Sequence, residues 1–297
     1  MNSPTQSRSW IVGMPVRVTT VALAVLIAFL PALVSRSAQA QTFTLLYTFT
    51  GGVDGGDPTG ALIMDAQGNL YGTTQEGGNP GCQYGCGTVF KVDTAGNETV
   101  LHAFAASGGD GEDLASNLVR DAQGNFYGTT GGGGVHGYGT VFKMDPAGNE
   151  TILYSFTGAG DGGYPGFGGL VLDDQGNLYG TTGWGGDLAC DAGQGCGTVF
   201  KIDNTGTETV LYSFVGTGLD GARPSGALLR DAQGNLYGTT LSGGYDFGLG
   251  TVFKVDNTGK QTVLLDFNGT DGFGPQERSY KTRWGTFTAL LGPAATA

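Results

Sequence analysis

Two short motifs recur four times in the same order along the chain. The first, Asp-x-x-Gly-Asn-(Leu/Phe)-Tyr-Gly-Thr-Thr, starts at Asp65, Asp121, Asp173 and Asp231, and the second, Gly-Thr-Val-Phe-Lys, starts at Gly87, Gly139, Gly197 and Gly250. Successive copies of the second lie 52, 58 and 53 residues apart. A period of this length outranks local propensity. One unit cannot bury its own apolar face, so neighbouring units must stack. The 58 glycines sit largely at fixed places in the repeat, beside Val, Leu, Phe and Tyr. That is the pattern of tight turns between short strands, not of a flexible linker.

Each unit holds four apolar runs separated by turn chemistry. The run at residues 44–49 recurs at 99–104, 151–156, 209–214 and 262–267. It is rich in Val, Leu and aromatics on both alternate faces, as expected of a strand covered on two sides. A second strand is expected at 61–64, a hairpin turn at Asp65-Ala66-Gln67-Gly68-Asn69, a third strand at 70–74 and a fourth at 88–92. The turn beginning at Asp93, and those at Asp145, Asp203 and Asp256, are expected to lead into the next unit. Four short antiparallel strands per fifty-residue unit describe a propeller blade. The expected fold is therefore all-β: a β-propeller of four-stranded antiparallel blades, with four complete repeats plus a truncated fifth and ring closure left open. Tyr71, Tyr127, Tyr179 and Tyr237 read as packing between blades, as do Phe90, Phe142, Phe200 and Phe253. Lys91, Lys143, Lys201 and Lys254 read either as surface-lining groups or as strand-edge lysines that discourage aggregation.

With GNLYGTT and GTVFK each present four times and DG-x-x-P between units, residues 42–275 resemble the GloVer tandem-repeat family of exported bacterial proteins. The resemblance implies a secreted repeat protein, often with a C-terminal surface-sorting segment, which is not seen here. It implies no established activity and supplies no catalytic residues.

Residues 1–40 read as a cleaved secretory signal, with Arg8 and Arg17 ahead of the apolar run 21–34 and Ala38-Gln39-Ala40 as the cleavage site. A membrane anchor is the alternative, but the run is short and Pro31 interrupts it. No later stretch is apolar enough to span a bilayer. Removing Arg8, Arg17 and Arg36 from 14 basic residues leaves 11 against 26 acidic ones, a net charge of −15. That argues against nucleic acid or an anionic membrane as partner. The expected location is the exterior or cell surface of a bacterium, or its periplasm.

The repeat domain is expected to span 41–275. From 276 to 297 the repeat pattern stops, although Asp271-Gly272 and Pro275 begin a fifth unit normally. Read in a shifted frame, the codons allowed by this tail accommodate Gly-Ala-Leu-Ile-Gln-Asp-Ala-Leu-Gly-Asn-Leu-Tyr-Gly-Thr-Thr, which is the missing repeat in register. The tail therefore reads as frameshifted translation of a fifth blade, with a divergent tail as the alternative.

Cys82 and Cys86 flank one connection before GTVFK, and Cys190 and Cys196 flank its counterpart two units later. In an exported chain they favour two local disulfides, with a four-cysteine zinc site as the rival. Asp54, Asp110, Asp161, Asp220 and Asp271 recur once per unit before the second strand. Crowded on one propeller face, they would form a carboxylate ring suited to calcium, the one cofactor such a pattern suggests. The simpler reading is that each stabilises its own Asp-Gly turn. His102 stands where Tyr47, Tyr154 and Tyr212 stand, and reads as a packing variant; His136 has no repeated counterpart. No nucleophile elbow, histidine metal pair or phosphate loop is present, so no catalytic residue is assigned. The expected function is a non-catalytic binding or display module for a glycan or cell-surface protein. The alternatives are a calcium-assisted hydrolase or lyase with a site in the propeller channel, and a truncated fragment without function.

Overall fold

The computed structural model describes residues 43–82, 85–105, 107–114, 116–217, 220–244, 248–268, 279–281 and 287–289. The signal segment, Asp271 and most of the tail lie outside them. The chain divides into two units, Met1–Leu45 and Leu46–Ala297, and every strand among the described residues belongs to the second.

Four antiparallel four-stranded sheets follow one another. The first consists of β1 (Ile63–Met64), β2 (Leu70–Thr74), β3 (Thr88–Val92) and β4 (Glu98–Ala103). After β5 (Gly111–Glu112), the second consists of β6 (Val119–Arg120), β7 (Phe126–Thr130), β9 (Thr140–Met144) and β10 (Glu150–Ser155), with β5 paired to β8 (Gly132–Gly133). The third holds β11 (Val171–Leu172), β12 (Leu178–Thr182), β13 (Thr198–Ile202) and β14 (Glu208–Ser213). The fourth holds β15 (Gly221–Arg230), β16 (Leu236–Gly243), β17 (Thr251–Val255) and β18 (Gln261–Asp266). Each sheet is a meander in chain order, the strand arrangement of a propeller blade.

The strand segments follow the sequence pattern, but the units begin elsewhere. The Asp93 turn does not lead to a new sheet. It is a hairpin within the first, with Lys91 opposite Thr99 and Val92 opposite Glu98. The run at 99–104 is thus the last strand of its own sheet, and the chain crosses to the next sheet after Phe104. The first such run, at residues 44–49, carries no strand pairing. The physical reason is local: a four-residue Asp-x-x-Gly turn closes an antiparallel pair, so both Asp turns of each repeat must lie inside a sheet.

The Asp65 turn shows what the first motif builds. Asp65 Oδ1 accepts from the backbone N–H of Gln67 and Asn69, while Oδ2 accepts from Asn69 Nδ2 and from Tyr71 Oη. Asn69 and these other donors hold the Asp65 carboxyl down at about 2, against some opposing desolvation. Asp121, Asp173 and Asp231 repeat the arrangement with Tyr127, Tyr179 and Tyr237. The motif is a tyrosine-clamped hairpin.

The core lies between sheets. Tyr71 packs on Phe126 of the second sheet, centroids 4.7 Å apart, and Phe104 packs edge-on to Phe142 at 5.1 Å. Phe156–Phe200 and Phe214–Phe253 repeat the second contact. The buried clusters accordingly pair the first sheet with the second, the second with the third and the third with the fourth. Past the fourth sheet, β19 (Ser279–Lys281) pairs with β20 (Phe287–Ala289), and β19 lies beside β15. Tyr280 opposes Thr288 as Ile63 opposes Tyr71, with the same offset between partners.

Candidate functional site

The loop aspartates sit on the crossings between sheets. Asp54 accepts from Tyr47 Oη, Thr50 N and Thr50 Oγ1. Asp161 does the same with Tyr154 and Thr157. Asp220 accepts from Val215 N and Gly221 N. Each carboxylate is engaged by its own loop, which is the turn role. Among the described residues, Asp54, Asp161 and Asp220 belong to no cluster of metal-ligating groups; Asp110 alone does.

At Asp110 the repeat symmetry breaks. Ala105 N and Gly111 N donate to its carboxylate, but the group facing it from β4 is His102, not tyrosine. The His102 ring meets Phe104 edge-on at 4.7 Å, where Tyr154 meets Phe156 edge-on at 5.1 Å. Imidazole is shorter than phenol, so Nε2 stops 3.7 Å from Asp110 Oδ2, beyond hydrogen-bond reach, and 3.9 Å from Glu150 Oε2. Neither His102 Nε2 nor Glu150 Oε1 has a hydrogen-bond partner. Burial, reinforced by Asp110, pushes the Glu150 carboxyl up to about 7. Burial opposes protonation of His102, but the two carboxylates outweigh it and raise its pKa. One imidazole and two carboxylates with ligand atoms within 4.8 Å of one another are a donor set for a divalent cation, of a kind that favours zinc or manganese over calcium. The tyrosine-to-histidine replacement is visible in the repeat alignment; Glu150, which heads β10, was not singled out by sequence because Glu98 and Glu208 head the equivalent strands.

The cysteines form the local pairs Cys82–Cys86 and Cys190–Cys196, with Cα atoms 5.5 and 5.7 Å apart. Each closes its own loop, leaving no thiolate for a shared zinc.

A second feature has no counterpart in the sequence pattern. Three residues after each loop aspartate stands a residue other than glycine with left-handed backbone: Asp57, Asp113, Tyr164 and Arg223, with φ of 52°, 60°, 55° and 54°. Each such conformation costs on the order of 1 kcal/mol. Aspartate stands at the first two positions, tyrosine at the third and, within β15, arginine at the fourth. Gln75 Nε2 donates to Asp113 Oδ1. Tyr164 lies edge-on to Tyr138 at 5.9 Å and to Trp184 at 6.5 Å. The Arg223 guanidinium covers the Trp184 ring at 4.6 Å and donates to Asp191 Oδ2 at 2.6 Å. Tyr138 and Tyr164 are about two-fifths exposed, at 40% and 38%. Tyr164 also lines a 340 Å³ recess with Glu76, Glu112 and Asp113.

Sheets, hairpins and repeated motifs define an all-β tandem-repeat protein. The chain belongs to the Gloeobacter/Verrucomicrobia repeat family, whose model matches residues 31–190 and 83–291. No curated protein matches it. Among solved structures it is similar to a gluconolactonase from Xanthomonas campestris, at 14% identity over 77% of this chain and 68% of that one, with a TM-score of 0.47. Looser likenesses are to dipeptidyl peptidase 4 of Porphyromonas gingivalis (14%, covering 67% and 24%, TM-score 0.35) and to the tricorn protease (12%, covering 68% and 18%, TM-score 0.40).

Proposed function

We propose that the chain is an exported, non-catalytic propeller-type binding module that holds a glycan on the face bearing Tyr138, Tyr164, Trp184 and Arg223. One observation carries this reading. The repeated polar groups are consumed in building the repeat, whereas the left-handed positions carry aspartate in the first two copies and change to Tyr164 and Arg223 in the next two, where Arg223 covers Trp184 and Trp184 meets the part-exposed Tyr164 ring. Aromatic faces pack against the C–H faces of sugars, and a charged fork beside them supplies orienting donors. The leader-like residues 1–40 and the disulfides support export. A glycan array tests the reading. Selective binding lost in Trp184→Ala supports it; reproducible turnover by the purified chain overturns it.

The same reading has the sheets close into a ring completed by a fifth unit beginning near Asp271. Leu62 is 53% exposed, while Leu118, Leu170 and Leu228 at equivalent positions are 4%, 4% and 2% exposed, so among the described residues the leading face of the first sheet lacks a cover around Leu62, although Phe49 packs on its Phe90 at 4.8 Å. The Leu46 carbonyl approaches Gly96 as Leu101, Leu153 and Leu211 approach the turn glycines of the sheets that follow them. Residues 46–49 therefore stand where the last strand of a preceding sheet belongs. Codons from position 276 that spell the missing repeat in the alternative frame support a fifth blade; codons that do not would remove it.

A second reading, a metal-assisted hydrolase or lyase, rests on the His102–Asp110–Glu150 cluster. Titration calorimetry with zinc, manganese and calcium tests it, and absence of binding by all three rejects it.

A further inference from the structure

The residue just before the first-motif aspartate differs from one interface between sheets to the next. In the second sheet, Arg120 lays its guanidinium 5.8 Å from the ring centre of Tyr71 in the first. In the fourth, Arg230 lies 5.2 Å from the ring centre of Tyr179 in the third, with Nη2 3.8 Å from Asp173 Oδ2. Each arginine caps the tyrosine–aspartate clamp of the sheet before it. The equivalent residue of the third sheet, facing Tyr127 and Asp121, is Leu172. It has no charge to offer the clamp.

A cleft of about 1060 Å³ opens there, lined by Asp121, Tyr127, Lys143, Leu172, Asp173 and Asp203, among others. We propose that this cleft receives an arginine side chain of another polypeptide, whose guanidinium takes the place that Arg120 and Arg230 fill at the neighbouring interfaces. The chain itself supplies two filled examples of the contact. Charge complementarity points the same way: with Asp173 already paired to Arg230, three further lining carboxylates (Asp121, Asp174, Asp203) stand against two lining cations, Arg120 and Lys143. Lys143 does not occupy the place. Its Nζ lies 5.8 Å from the Tyr127 ring centre, as Lys91 lies 6.0 Å from that of Tyr71, and Tyr71 carries Arg120 as well. A delocalised planar cation suits an aromatic face beside a carboxylate better than a compact ammonium does. The volume exceeds one side chain, leaving room for the flanking backbone of a peptide.

Calorimetry with the peptide acetyl-Gly-Arg-Gly-amide on the purified chain tests this. The expected result is one saturable site, at least tenfold weaker in Leu172→Arg, where the chain fills its own cleft, and weaker for the lysine analogue. Arg230→Leu uncovers a second clamp and is expected to raise the stoichiometry from one to two. Circular dichroism shows whether that variant folds; should it not, Leu172→Arg decides alone. No saturable binding at millimolar peptide, equal binding by Leu172→Arg, or a folded Arg230→Leu variant that keeps a single site would each overturn the proposal.

Discussion

A Cβ built on Gly180 would lie 2.6 Å from Cζ of Phe200 on the paired strand and 3.0 Å from Leu170. Gly72, Gly128 and Gly238 stand in the same relation to Phe90, Phe142 and Phe253. The Gly of YGTT and the Phe of GTVFK are thus two halves of one contact: the missing side chain makes the slot that the ring fills. Phe200 is fully buried and is backed by Phe156, so it has nowhere to retreat. Gly180→Ala is expected to cost about 1–3 kcal/mol by overpacking, read as a lowered midpoint in urea at unchanged slope.

The tyrosine clamp makes a milder prediction. Tyr179 is buried and its hydroxyl donates to Asp173 at 3.0 Å. In Tyr179→Phe the carboxylate keeps Asn177 and the turn N–H groups as donors. The loss is therefore that of one hydrogen bond to a charged acceptor, about 1–2 kcal/mol. A midpoint equal to wild type would mean that the hydroxyl is equally well solvated without Asp173.

Much of this was legible in the residues, because a fourfold repeat averages out local noise. Strand positions, both Asp turns and the packing roles of Tyr71 and Phe90 follow from spacing and residue type. The phase of the unit does not, since the turns at Asp65 and Asp93 share one chemistry, and only packing shows that the chain changes sheet after Phe104. The Asp-Gly loops were readable as turns, yet the cluster at Asp110 needs Glu150, which reaches it from a different sheet. Left-handed backbone at Tyr164 and Arg223 carries no sequence signal, because residues with a Cβ rarely adopt it. Leu172 in place of arginine is plain in the alignment, but its meaning appears only once Arg230 is seen over Tyr179.

Histidine 102 allows a test of its own. At the equivalent positions Tyr47 and Tyr154 donate to Asp54 and Asp161 at 3.0 Å. His102→Tyr is expected to restore that bond and raise the thermal midpoint by a few degrees, roughly 1 kcal/mol of stability. It is also expected to abolish any zinc or manganese binding. An unchanged metal titration in the variant would place the binding elsewhere.

The uncovered part of the first sheet's leading face, around Leu62 and Met64, predicts self-association. Leu62, just before β1, and Met64, at its end, lie two residues apart and are 53% and 68% exposed, and exposed apolar side chains grouped in this way seek a partner. Light scattering on the purified chain is expected to give a mass above the monomer, and Leu62→Glu with Met64→Glu is expected to restore the monomer mass. A wild-type chain monomeric at high concentration would mean that another part of the chain covers that face.

Glu208 gives stability a pH dependence opposite to the usual carboxylate case. Its Oε1 is buried without a hydrogen-bond partner, and burial, reinforced by Asp161, pushes its carboxyl up to about 7 from 4.5. Between those values the folded chain binds the proton more tightly than the unfolded chain does. Stability contributed by this group is therefore complete below about pH 4.5, falls as pH rises, and is lost above about 7. Gln261 holds the same position in β18, where its Nε2 is buried without a partner, so the amide carries a constant cost of its own. Glu208→Gln is expected to be more stable than wild type at pH 8 than at pH 5 by about 0.5–1 kcal/mol, a figure reduced for the half-exposed side chain. Taking the difference between the two pH values cancels any constant cost of the amide. Urea midpoints at both pH values decide it: an identical gain at pH 5 and pH 8 would show that Glu208 is not ionised at a cost in the folded state.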